Sequence, residues 1–114
     1  MNLPTMKRAN LGEFEELVLL AVASLHDGAY GLEVQRVLKD EARRPVALAT
    51  VHSALYRLER KGYVQSELGG ATRQRGGRRK RLFAVTGAGL STLAEARTVR
   101  DHLWQRVQGL HPTG

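Results

Sequence analysis

His26, His52, His102 and His111 are the side chains of this 114-residue chain best suited to acid–base or metal chemistry near neutral pH. They are scattered, with no second histidine or carboxylate at a ligand spacing, so no metal site is expected. The chain has no cysteine, which excludes a disulfide scaffold, a thiolate zinc or iron–sulfur site and a cysteine nucleophile. No GxxxxGK, HExxH or GxSxG stretch occurs, and GAGLST at 87–92 lacks the third glycine of a dinucleotide loop. Neither enzymatic chemistry nor a bound cofactor is expected.

The chain's excess is in positive charge. Eighteen Lys and Arg against eleven Asp and Glu give a formal charge of +7. Between Arg43 and Arg81 stand eleven basic residues against only Glu59 and Glu67, a net of +9, while the remainder of the chain is slightly acidic. Six of those cations crowd into residues 73–81 with no acid among them. Cations gathered on one flank attract a polyanion, and nucleic acid is the partner such a flank suits best.

The elements that must position these cations follow from the spacing of apolar residues. At 42% hydrophobic and 25% charged, the composition is that of a soluble globular protein with one core. The longest apolar run, residues 17–25, falls far short of the roughly 20 residues that span a bilayer, so neither a membrane segment nor an export signal is read. A short flexible arm is expected over residues 1–9. Asn10 with Glu13 three positions later suggests a capping box opening a helix whose apolar face is Leu11, Phe14, Leu17, Val18, Ala21, Val22 and Leu25. Asp27 and Gly28 should close it. A second helix is expected over 30–41, with Leu32, Val34, Val37 and Leu38 facing inward, stopped before Pro45.

A third helix over 48–61 places Val51, Ala54, Leu55 and Leu58 on its inner face and Gly62 at its end. At 100° per residue, Ala49, Ser53, Tyr56 and Arg60 occupy the opposite face with His52 and Arg57 on its shoulders, and Thr50 lies in the first turn. Two runs rich in β-formers, 63–68 and 81–85, flank the segment GGATRQRGGRRK and predict a hairpin with a long tip. Thr86 can cap a last helix over 88–108, striped by Leu90, Leu93, Ala96, Val99, Leu103, Trp104, Val107 and Leu110.

This α-α-α-β-β-α order, mainly α with a small β-hairpin, describes a winged helix-turn-helix. One helix fits the roughly 12 Å major groove of DNA, and a basic hairpin can follow the backbone or enter the minor groove beside it. The residues expected to contact DNA are Ala49, Thr50, His52, Ser53, Tyr56, Arg57 and Arg60 of the third helix and Arg73, Arg75, Arg78, Arg79 and Lys80 of the wing. Ser53, His52, Arg57 and Arg60 offer donors to base edges or phosphates, and Tyr56 offers a hydroxyl to a phosphate.

LGEFEELVLLAVASL in the first helix, AYGLEV at 29–34, VHSALYRLERKGYV at 51–64 and GGRRKRLFAVTGAGL at 76–90 resemble the PadR family of bacterial transcriptional regulators. The last two stretches are the specific ones: a tyrosine before a leucine–glutamate pair, then a basic wing leading to a threonine that opens the next helix. The resemblance implies a DNA-binding domain over 10–86 and a C-terminal dimerisation helix over 87–110. It implies a homodimer that generally represses, without the larger C-terminal domain of longer members. It also implies a central space between subunits that accepts a small flat hydrophobic effector, which Trp104 would line. The wing insert GGATRQRGG is longer than in many relatives, and Ala47 stands where a capping serine is common.

Dimerisation is expected from the residues as well, because the last helix carries more apolar surface than three short helices cover. The interface expected is Leu93, Ala96, Val99, Arg100, Leu103, Trp104, Val107 and Leu110. Twofold symmetry then predicts a palindromic operator with half-sites roughly 34 Å apart. The expected partners are double-stranded operator DNA and a second copy of the chain, in the cytoplasm and away from membranes. Two other readings stay open: an RNA-binding or ribosome-associated winged-helix module, and an adaptor recruiting another protein through its last helix.

Overall fold

The computed structural model of the protein describes residues 11–69 and 80–110. Four helices and one hairpin follow in the predicted order: α1 (Glu13–Ser24), α2 (Gly31–Ala42), α3 (Leu48–Arg60), β1 (Val64–Leu68), β2 (Arg81–Val85) and α4 (Gly87–Gln105). The architecture is a mainly helical winged helix-turn-helix. Its two strands run antiparallel, with Val64 opposite Val85 and Leu68 opposite Arg81.

The helix boundaries differ from expectation where the backbone finds a better cap. α1 opens after Gly12, not at Asn10, which lies outside the described residues. The Glu15 carboxylate reaches back to accept from the Gly12 N–H at 3.4 Å, and Glu13, Glu15 and Glu16 fill the first turn, where the helix dipole favours negative charge. At the far end the left-handed conformation falls on His26 (φ 44°), and Gly28 (φ 110°) makes a second reversal just beyond it. α2 starts at Gly31, with the Tyr30 N–H held by the Glu33 carboxylate at 2.8 Å, and stops at a left-handed Arg43 ahead of Pro45. α3 begins at Leu48 without a side-chain cap, as Ala47 led us to expect.

The reversal at Gly28 delivers Ala29 to the hairpin. Ala29 and Phe83 exchange two backbone hydrogen bonds of 2.8 Å, so a one-residue bridge extends the two-stranded sheet. No periodicity announces a single paired residue. The bridge ties the start of α2 to the wing's second strand, and Phe83 is fully buried beneath it.

The core joins Val18, Leu19, Ala21 and Val22 of α1 to Val34 and Leu38 of α2, and to Val51, Ala54, Leu55 and Leu58 of α3. Val64 and Phe83 close it from the hairpin, and Leu93 from α4. Leu19, absent from the expected apolar face, is wholly buried, whereas Leu32, expected inside, is 46% exposed on α2.

α4 joins this core only through its first two turns. Thr86 Oγ1 accepts from the Gly89 N–H at 3.0 Å, capping the helix as predicted, and donates to the Gly62 carbonyl at 2.8 Å. Gly89, Thr92 and Leu93 are buried; Leu93, expected at a subunit interface, lies within the protomer's own core. Beyond them, Arg100 pairs with Glu16 of α1 at 2.6 Å. The helix ends at Gln105, three residues before the expected end, and a turn leads to Gly109 (φ 89°).

Gly89 gives this junction a sharp test. A Cβ there would overlap the Tyr63 carbonyl oxygen and approach Val85 Cγ2 to 2.9 Å, and backbone cannot yield as a side-chain tip can. Helix propensity favours Ala over Gly by about 1 kcal/mol, but a clash of this kind costs more, in the range of about 1–3 kcal/mol for overpacking. Gly89→Ala should therefore lower the thermal midpoint. Gly87→Ala in the same turn, where a Cβ meets nothing, should not. Equal melting of the two variants would mean that α4 does not dock as described.

Candidate nucleic-acid interface

Burying Val51, Ala54, Leu55 and Leu58 rotates the other side of α3 to solvent. Ala49, Thr50, Ser53, Tyr56, Arg57 and Arg60 are all exposed, and His52 is half-buried on the shoulder. The seven α3 residues expected to meet a polyanion thus lie on one continuous surface.

Two aromatic side chains of this surface are ordered by their neighbours. His52 lies against Gly31 at the start of α2, where any Cβ would collide with the imidazole. A larger residue at 31 would have to displace the His52 ring. Tyr56 stacks on His52 with ring centroids 6.2 Å apart, and meets Phe83 edge-on at 5.7 Å while remaining 41% exposed. The Tyr56 ring is therefore anchored to the wing's second strand as well as to α3.

The wing's base is similarly supported. The Gly69 N–H donates to the Lys80 carbonyl at 2.6 Å, and a Cβ on Gly69 would lie 2.8 Å from the Tyr30 hydroxyl. Lys80 is exposed, and its ammonium sits 5.8 Å from the centre of the Tyr30 ring. Arg73, Arg75, Arg78 and Arg79 lie outside the described residues.

The cations between Arg43 and Arg81 do not stand clear of the chain's acids. The first turn of α1 lies beside α3. Glu13 binds Arg44, whose Nη1 donates at 3.0 Å and whose guanidinium also covers the Phe14 ring. Glu15 receives Arg57 Nε at 2.8 Å and Lys61 Nζ at 2.7 Å. Arg43, Arg60 and Lys80 make no ion pair among the described residues. One signal for Glu15 was available: at positions 15, 18, 19 and 22 it shares the spacing of the buried face.

Glu15 is 8% exposed, the only charged side chain buried among the described residues. Burial pushes its pKa up, but hydrogen bonds from Lys61, Arg57 and the Gly12 amide, with the Lys61 charge, outweigh that and leave it below the usual carboxylate range.

The residues expected at a dimer interface divide in two. Val99, Leu103, Trp104 and Leu110 are 58, 57, 72 and 73% exposed, and Arg100 is exposed beside Glu16. Ala96 and Val107 are half-buried, and Leu93 is in the core. An open groove of about 500 Å³ lies elsewhere, on α2 and the loop after it, lined by Leu32, Gln35, Arg36, Lys39 and Val46; Trp104 is not part of it. No group of three His, Cys, Asp or Glu able to hold a metal occurs among the described residues. Nor is any described helix long and apolar enough to cross a membrane.

Three helices, a hairpin bridged back to Ala29 and a third helix with an exposed, partly basic outer face define a winged helix-turn-helix. Residues 19–95 match the transcriptional regulator PadR-like family, and the chain belongs to that family, whose members are transcription regulators. No match was found among curated proteins. Among solved structures, a PadR-like transcription factor from Bacteroides fragilis is 26% identical, with a TM-score of 0.70 over 82% of this chain and 85% of that one. A PadR family regulator from Clostridium difficile R20291 is 19% identical, with a TM-score of 0.66 over 84% and 95% of the two chains. BpsR of Bordetella bronchiseptica, whose DNA binding is regulated by 6-hydroxynicotinic acid, is 22% identical, with a TM-score of 0.62 over 90% of this chain and 69% of its own.

The depressed pKa of Glu15 has a measurable consequence. A carboxylate more acidic in the folded than in the unfolded chain contributes stability that is fully present above the unfolded value, about 4.3, and is lost as pH falls through the folded value. Urea unfolding of the native protein should show stability declining below about pH 4.3, with a smaller decline for Glu15→Gln. The same acid profile in both would remove Glu15 from the contacts that hold α1 to α3.

Proposed function

We propose that the protein is a sequence-specific DNA-binding transcriptional regulator, a homodimer that represses by occupying a palindromic operator. The observation that carries this reading is the solvent-facing surface of α3: Ser53, Tyr56 and Arg60 stand exposed opposite a fully buried face. A helix so mounted can enter the major groove with Ser53, Thr50 and Arg60 near base edges or phosphates, and with the Tyr56 hydroxyl toward the backbone. The wing follows α3 directly, and Arg73, Arg75, Arg78, Arg79 and Lys80 would neutralise phosphates beside the groove. The same surface carries few stacking aromatics, which favours duplex DNA over single-stranded RNA.

Dimerisation through α4 is supported by the exposed Val99, Leu103 and Trp104 on the second half of a helix that joins the core only through its first two turns, with Leu110 exposed just beyond its end. A second copy covering them would set two α3 helices about one turn of DNA apart. Repression follows from the resemblance and from occupancy of a promoter. A flat hydrophobic effector would bind at Trp104 between subunits; the support is the 72% exposure of that indole and the small aromatic acid that regulates DNA binding by BpsR.

Affinity for a duplex should fall steeply with salt, log K dropping about 0.9 per phosphate neutralised. Replacing Arg78, Arg79 and Lys80 together by Ala should weaken specific and random duplexes alike, whereas Ser53→Ala should change the preference among sequences. A flat salt profile contradicts the reading, as does a wing triple that binds like the native protein. Trp104→Glu with Leu103→Glu should convert a dimer to a monomer in a mass measurement, and a monomeric native protein would exclude the α4 interface.

A further inference from the structure

The contact between Glu15 and Arg57 is a polar link between the packing of the domain and its exposed surface. Glu15 projects from α1, is buried, and is bracketed by Arg57 and Lys61, two cations four residues apart at the end of α3. Arg57 spends only its Nε on the carboxylate; its two Nη groups make no hydrogen bond among the described residues, and the side chain is 44% exposed. The guanidinium is thus fastened along its inner edge and open along its outer one. A guanidinium can serve two oxyanions at once because its donors diverge from a planar fork, which an ammonium cannot reproduce.

The charge balance permits this double use. One carboxylate faces two cations, so the cluster keeps a net charge of +1, and Glu15 retains Lys61 as partner when Arg57 is drawn outward. A buried carboxylate losing its sole cation would resist that movement. Arg57 is also set toward α1, off the centre of the face formed by Ala49, Ser53, Tyr56 and Arg60. A donor at that flank meets the sugar–phosphate backbone bordering the groove before it meets a base edge.

Resting on the DNA-binding reading above, we propose that Glu15 is a positioning residue for DNA binding. From α1 it holds the Arg57 guanidinium by Nε, so that the Nη edge is presented, already ordered, to a backbone phosphate. An arginine ordered in the unbound protein loses less rotamer freedom when it meets its phosphate, and this advantage is independent of DNA sequence.

The test uses the full chain and two duplexes, the promoter fragment upstream of its own gene and a random sequence, titrated at matched salt. Glu15→Gln removes a negative charge close to the DNA, so electrostatics alone would tighten binding. Positioning instead predicts that both duplexes bind roughly threefold to tenfold more weakly. In an Arg57→Ala background Glu15→Gln should produce no such weakening, and Arg57→Lys should lose most of what Arg57→Ala loses although it keeps the charge. If folded Glu15→Gln binds as tightly as the native chain, or weakens both backgrounds equally, Glu15 does not act through Arg57. Should Glu15→Gln fail to fold, Arg57→Lys decides, since native affinity in that variant overturns the proposal. Those outcomes leave the DNA reading intact; a native chain that binds neither duplex overturns that reading itself.

Discussion

The rest of the molecule depends on one constraint: the apolar side of α3 is sealed against its neighbours. Val51, Ala54, Leu55 and Leu58 are wholly buried with Val18, Leu19 and Val22 of α1 and with Val34 and Leu38 of α2. Fully burying each of the Val and Leu side chains stabilises by about 1.5–3 kcal/mol, so rotating α3 to hide its polar side would forfeit most of the core. The opposite face has no choice but solvent. Phe83 extends the constraint to the wing, since its buried ring on β2 meets the Tyr56 ring of α3 edge-on.

Charge is distributed less simply than the sequence total suggests. The net +9 between Arg43 and Arg81 is not all available to a polyanion, because Glu13 and Glu15 reach across from α1 to Arg44, Arg57 and Lys61. Exposed pairs such as Arg44 with Glu13 contribute little to stability. The Glu15 cluster matters more because its carboxylate is buried, where losing both cations would leave an uncompensated charge. At Arg57 the two distributions overlap, since the side chain that pairs with Glu15 is also 44% exposed on the outer surface of α3.

Much of this was legible in the residues. The inner face of α3, its outer face, both strands and the Thr86 cap follow from spacing, because each is a local pattern with one strong solution. What spacing could not show is set by distant partners. The one-residue bridge at Ala29 needs Phe83, more than fifty residues on. Asn10 was a reasonable cap, yet the Gly12 N–H finds the Glu15 carboxylate instead. Gly28 takes positive φ as expected, but a left-handed His26 precedes it, and Leu93 belongs to the core because α4 docks through its first turns. Leu32 turned outward because the face of α2 against α1 and α3 is narrower than its apolar residues. Arg57 was placed on the correct shoulder, but its partner lies on another helix and leaves no local signature.

The α4 surface completes the account. Past its first two turns α4 touches the rest of the described chain through Arg100 and Glu16, and it leaves Val99, Leu103 and Trp104 exposed; on the proposed reading a second copy would cover them. A pair of domains so joined would offer two α3 helices to one face of a duplex, and the proposed dimer would thereby turn the geometry of a single chain into a spacing on DNA. Hydroxyl-radical footprinting of the full-length protein on the DNA upstream of its own gene tests this most directly. The account predicts two protected segments about one helical turn apart, related by a twofold axis and lying on one face of the duplex. Absence of protection at low salt, or protection spread evenly along the fragment, would contradict it.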